Sequence, residues 1–146
     1  MNSTTELLSN YSGIVTGITA LVWNGICSML PWYTELSSSN SVLNDIHIPL
    51  GRYVYKPYVD KENYLRPSSN NPKMLVPTVE RAVVEYILDE EHCDEGILIE
   101  ALKNYLWQYP EKLQELYKVA EFYGLARETL DYWLEEARTD DSILSE

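Results

Sequence analysis

Thr78-Val79-Glu80-Arg81-Ala82-Val83-Val84-Glu85-Tyr86-Ile87-Leu88 is the stretch at which the chain changes character. Val79, Ala82, Val83, Tyr86 and Ile87 recur at i, i+3, i+4, i+7 and i+8, the period of a helix with one apolar face. Thr78, behind Val76-Pro77, carries the side chain of an N-cap. Glu80 falls in the first turn, where a negative charge suits the helix dipole, and Arg81 is placed to bridge back to whatever precedes the helix. The pair reads as structural.

Downstream the same period returns three times. The acidic cluster Asp89 to Asp94 breaks it, and a second helix is predicted from Glu95 to about Trp107, with Ile97, Leu98, Ala101, Leu102 and Tyr105 inward. Pro110 is expected in the first turn of a third helix, where its missing N–H costs nothing. Leu113, Leu116, Tyr117, Ala120 and Tyr123 line that helix, and Gly124 ends it. A fourth helix from about Arg127 to Ala137 buries Leu130, Trp133, Leu134 and Ala137. The polar tail after it is expected to fray.

Upstream the period differs. Ser12 to Ser28 is predicted as one buried helix, with Gly13, Gly17, Ala20 and Asn24 as a small-residue strip and Ile14, Ile18, Leu21, Val22 and Ile26 opposite. Ile46-His47-Ile48 and Arg52 to Tyr58, joined by Pro49-Leu50-Gly51, read as a strand pair. Asp60 to Lys73, rich in Pro, Ser and Asn, reads as a long polar loop. The expected architecture is α+β in a single domain, residues 1–146. Residues 12–59 form a buried helix plus a small β element, 60–76 a loop, 77–138 an acidic bundle of about four helices, and 139–146 a tail.

Charge divides the chain at the same boundary. Five acids and five bases cancel between Met1 and Thr78; from Val79 onward eighteen acids face six bases, which carries the whole net charge of −12. Such a half repels phosphate backbones and attracts basic partners. Ile14 to Leu30 is the most membrane-like run, but Thr16, Thr19 and Asn24 interrupt it and it falls short of the roughly 20 apolar residues a span needs. Cys27 and Cys93 lie in unlike settings, which argues against a disulfide framework. The expected location is cytoplasmic.

Catalytic constellations are not apparent. His47 lies in a strand pattern and His92 in an acidic turn, with no Ser-His-Asp order and no phosphate-binding glycine loop. The run Glu90 to Glu95 reads as a solvated turn, not a metal site. The expectation is a non-enzyme without metal or cofactor. Ala120 to Trp133 has the spacing of a helix-turn-helix, with a small residue at the crossing, glycine at the turn and apolar anchors beyond. The residues its second helix would expose are Arg127, Glu128, Asp131, Tyr132, Glu135 and Glu136. One base against four acids opposes entry into a major groove, so direct DNA binding is disfavoured and an αα-corner expected. Tyr11, Trp32, Tyr33, Tyr58, Tyr64, Trp107, Tyr109 and Tyr132 fall near segment ends, as amphipathic packing or as binding anchors.

Ser12 to Leu30, the turn Ile48-Pro49-Leu50-Gly51-Arg52-Tyr53-Val54-Tyr55 and Val76-Pro77-Thr78-Val79-Glu80-Arg81-Ala82 occur in that order. Together they resemble the central and C-terminal region of AbiEi-like antitoxins, transcriptional-regulator partners in bacterial abortive-infection toxin–antitoxin pairs. The family usually carries an N-terminal winged helix that binds promoter DNA, whereas this chain opens at the glycine-bearing helix. The resemblance therefore implies the partner-facing part of an antitoxin, acting on a toxin that resembles a nucleotidyltransferase. The expected partner is a basic toxin or nucleic-acid-binding enzyme, met through Glu128, Asp131, Tyr132, Glu135 and Glu136. An acidic DNA mimic, such as a phage anti-defence inhibitor, is the alternative.

Overall fold

A computed structural model describes residues 13–28, 34–37, 47–48, 51–56, 63–67 and 74–140, and within them the chain is an α+β structure. Its strands are β1 (Gly13–Val15), β2 (Thr34–Ser37), β3 (His47–Ile48), β4 (Gly51–Lys56), β5 (Leu65–Pro67) and β6 (Met74–Pro77). Its helices are α1 (Gly17–Trp23), α2 (Val79–Leu88), α3 (Glu95–Gln108), α4 (Leu113–Phe122) and α5 (Arg127–Thr139).

The strands form one mixed sheet in the order β3-β4-β2-β1-β6-β5. β1 lies inside it, antiparallel to β2 with Val15 opposite Leu36, and parallel to β6 with Ile14 opposite Leu75. This corrects the expectation of one continuous helix over residues 12–28. Gly13-Ile14-Val15 is a strand, Thr16 is the break, and the helix begins at Gly17. Ile14 and Val15 are almost wholly buried, which a strand covered on both faces allows as readily as a buried helix does. The small-residue strip of Gly13, Gly17, Ala20 and Asn24 is therefore divided between two elements.

A second correction concerns residues 60–76. Leu65–Pro67 and Met74–Pro77 are not loop but an antiparallel pair, Leu65 opposite Pro77 and Pro67 opposite Leu75, at the edge of the sheet. Proline is tolerated there because an edge strand need not donate on both sides. The pairing predicted around Pro49-Leu50-Gly51 is present, with His47 opposite Arg52 and Ile48 opposite Gly51.

The C-terminal half follows its periodicity closely. Thr78 caps α2, its Oγ1 accepting from Arg81 N at 3.3 Å, and Asp94 caps α3, its Oδ1 accepting from Ile97 N at 3.0 Å. Pro110 departs from expectation. It sits in the turn closed by Lys112 N to Tyr109 O at 3.0 Å, before α4 begins at Leu113. Arg138 and Thr139 remain helical instead of fraying, and Lys103 Nζ holds Asp140 with its Oδ2 at 3.4 Å. Residues 141–146 lie outside the described residues.

Two helix ends share a device. α1 closes with Ile26 N to Leu21 O (3.2 Å) and Gly25 N to Val22 O (3.0 Å). α4 closes with Leu125 N to Ala120 O (2.8 Å) and Gly124 N to Glu121 O (3.1 Å). Both are Schellman closures that need a left-handed residue, supplied by Gly25 (φ +77) and Gly124 (φ +79). The residue after each glycine, Ile26 or Leu125, turns inward and is buried.

One core joins the two halves. Val15, Leu21 and Ile26 from the first meet Val83, Leu98, Leu102, Leu116, Leu130 and Leu134 from the second. α2 packs against α1, α3, α4 and β6, so it is central and buried nearly all round: Val84, Glu80 and Arg81 are enclosed along with its apolar stripe. A polar seam reinforces the joint. Glu100, Asn104 and Gln108, one turn apart on α3, bind the backbone that follows α1. Ser28 N donates to Glu100 (3.1 Å), Asn104 to Ile26 O (2.9 Å) and Gln108 to Gly25 O (3.0 Å).

Candidate functional site

The five residues expected to meet a partner all lie on α5. Leu130, Leu134 and Ala137 anchor that helix in the core, and a residue advances about 100° around an α-helix. Glu128, Asp131, Tyr132 and Glu135 therefore share the opposite, exposed face, while Glu136 lies at its margin and is half-buried. Tyr132 is 55% exposed. All five lie on the one helix. Glu128 in the first turn and Arg138 in the last also suit the dipole of the helix that carries them.

Tyr117, expected only to line its own helix, and Arg127 pack against this face. The Tyr117 hydroxyl donates to Asp131 Oδ1 across the α4–α5 corner, and the Arg127 guanidinium stacks 4.4 Å from the Tyr117 ring centroid. Burial, then the bond to Asp131, push the Tyr117 hydroxyl up from its ordinary pKa, while Arg127 and Arg138 oppose the shift. Asp131 is thus partly engaged within the fold, whereas Glu128 and Glu135 project from it. No local pattern signals a pair fourteen residues apart on two helices.

A cleft of about 480 Å³ opens beside this face, between the α2–α3 turn and the α4–α5 corner. Ile87, Leu88, Leu125 and Trp133 give it apolar walls, and Glu90 and Glu95 stand at its rim. Cys93 also lines it; burial first, then Asp89, Asp94 and Glu95, raise its thiol to about 11. The thiol is thus held protonated, the opposite of an activated nucleophile.

Glu80 and Arg81 occupy a different place. Both are buried, at 6% and 1% exposure. The Tyr105 hydroxyl lies 2.8 Å from Glu80 Oε2 and from Lys112 O, and its pKa is driven far upward by burial and then by Glu80. Arg81 donates to Glu85 Oε2 (3.0 Å) and to Asn63 O (2.5 Å), beneath the Tyr123 ring at 5.4 Å. Asn63 stands just before β5, so Arg81 does bridge to the β element. The pair joins sheet to bundle.

Of the other candidate anchors, Tyr11, Trp32, Tyr33 and Tyr58 lie outside the described residues. Trp107 is the most open, at 84% exposure, while Tyr109 tilts against Tyr105 at 5.5 Å and Tyr64 sits edge-on to Phe122 at 5.4 Å. His92 is exposed, its Nδ1 3.0 Å from Asp89 Oδ1. Among the described residues no group of three His, Cys, Asp or Glu side chains is arranged to hold a metal ion. No helix among them is long and apolar enough to cross a membrane. Comparison of the chain with models of known protein families gives no match, and neither does comparison with curated proteins.

Proposed function

We propose that this chain is an antitoxin-like regulatory protein that restrains a partner toxin, a nucleotidyltransferase, by binding it through the acidic helical half. The observation that carries this reading is the outer face of α5. Its carboxylates and the exposed Tyr132 stand on a helix tied to its neighbours by the Tyr117–Asp131 bond in its second turn and by Lys103 at Asp140. A preorganised acidic face with an aromatic at its centre suits a basic protein surface, since Tyr is enriched among interface hot spots and complementary charge speeds the encounter. The nature of the partner rests on the resemblance to AbiEi-like antitoxins.

The test is co-expression with a nucleotidyltransferase toxin encoded beside this chain. The reading expects growth to be restored and the two proteins to co-purify; failure of both would sink it. The same carboxylate row supports the second reading, a DNA mimic. Its acids return at each helical turn, roughly 5 Å apart along the axis, and that reading requires the partner to be released by competing duplex DNA.

A further inference from the structure

The geometry points to the cleft beside α5 as the seat of a basic amphipathic helical segment of the partner protein. Leu88 ends α2 with 39% of its surface exposed, one residue beyond the stripe that buries the rest of that helix. Opposite it, Trp133 is half-buried on α5 and meets the exposed Tyr132 edge-on at 5.0 Å, so the apolar wall continues out of the cleft onto the outer face. The volume of about 480 Å³ lies within the roughly 300–1,000 Å³ of ligand-binding clefts. An open groove with apolar walls takes the i, i+3, i+4 side chains of a docked helix.

Charge selects the occupant. Two acids, Glu90 and Glu95, and no Lys or Arg line the cleft. Burial first, and then Asp89, Asp94 and Glu95, hold the Cys93 thiol in the cleft above its ordinary pKa, in keeping with the acids around it. An acidic helix would be repelled, and a second copy of this chain would bring acids against acids. A segment with leucine-like anchors on one side and Lys or Arg on the other meets both the walls and the rim. The inference rests on the antitoxin-like reading for who the partner is, and on the cleft alone for how that partner docks.

The probe is a synthetic amphipathic helix of leucine and lysine, with a leucine–glutamate helix of the same apolar pattern as control. The lysine helix is expected to bind and to shift the backbone amide resonances of residues 87–95 and 124–133, and the glutamate helix to leave them unmoved. Thr129→Arg places a cation in the cleft from an exposed position and is expected to weaken binding by about tenfold or more. Glu90→Lys with Glu95→Lys, which reverses the rim without filling the cleft, is expected to do the same. Absence of binding, or binding that both variants leave unchanged, overturns the proposal. In the toxin co-purification, a partner kept by Thr129→Arg but lost with Glu128→Lys and Glu135→Lys overturns the cleft and leaves the antitoxin-like reading standing. Peptide docking at the cleft of a protein that neither rescues nor co-purifies supports the cleft and removes that reading.

Discussion

α2 and α5 are both charged amphipathic helices, yet they treat their charges in opposite ways. In α2, Glu80 and Arg81 are buried, and each is met by a group from another element: Tyr105 of α3, Asn63 before β5, Tyr123 after α4. In α5, Glu128, Asp131 and Glu135 face solvent, and among the described residues only Asp131 of the three is bound across elements, by Tyr117. Residue type does not separate the two cases. What separates them is whether another part of the chain crosses over the charge, because a buried ion without a hydrogen-bonding partner is too costly to keep. The charges of α2 join elements of the fold, whereas Glu128 and Glu135 of α5 face solvent.

The comparison breaks first at Arg81. Arg81→Met removes the guanidinium that Glu85, Asn63 and Tyr123 surround, and is expected to cost about 3–5 kcal/mol, the usual loss when one member of a buried charge pair is deleted. Urea denaturation measures it, and a loss under about 1 kcal/mol would place these charges in the same class as those of α5. Cys93 sharpens the comparison. With its thiol at about 11 against 9.0 for an unperturbed one, alkylation near pH 8 should run about 100-fold slower in the folded protein than in urea. Site-resolved mass spectrometry reads the ratio, and equal rates would mean that neither burial nor the neighbouring acids perturb the thiol. Tyr105→Phe should cost about 1.5–3 kcal/mol, the range for a hydrogen bond to a charged group. Cys93 and Tyr105 both hold their protons more tightly when folded. The native state therefore binds more protons than the unfolded chain above about pH 9, and stability must fall as pH rises through that range. Removing the Tyr105 hydroxyl should flatten this fall; an unchanged slope would show that Tyr105 titrates alike in both states.

The four C-terminal helices were legible because each carries a clear helical period, and Thr78 and Gly124 marked two of their ends; Asp94 showed only as part of an acidic break, and Pro110 stands in the turn before α4, not in its first turn. β1 was misread because Ile14 and Val15 continue the apolar pattern of the helix after them, and a short apolar run does not distinguish strand from helix. β5 was hidden for another reason. Leu65–Pro67 sits among polar turn-forming residues and becomes a strand through its pairing with β6, a contact no local window contains. The face of α5 followed from its period. The cleft did not, since Leu88 and Trp133 lie forty-five residues apart and come to line one cleft only when α5 packs on α3 and α4. The burial of Glu80 and Arg81 was equally invisible, because such residues are almost always exposed.

The smallest effect on stability should come from the residues with the largest proposed role. Glu128→Lys with Glu135→Lys alters two exposed carboxylates, and most surface substitutions of this kind change stability by less than about 0.5 kcal/mol each. Glu128 lies in the first turn of α5, where losing a favourable charge–dipole contact costs about 0.3–1 kcal/mol, so the double variant should melt only slightly below the parent. Its association with a basic partner should nevertheless slow markedly, with the difference from the parent shrinking as salt is added, because steering between exposed charges is screened. Arg81→Met should show the reverse: a large loss of stability and, in whatever fraction stays folded, an unchanged association rate. If the α5 variant instead binds its partner at the parental rate while becoming prone to precipitate, the acids of α5 serve only to keep the bundle apart from its copies. The distinction between the two helices would then be one of burial alone.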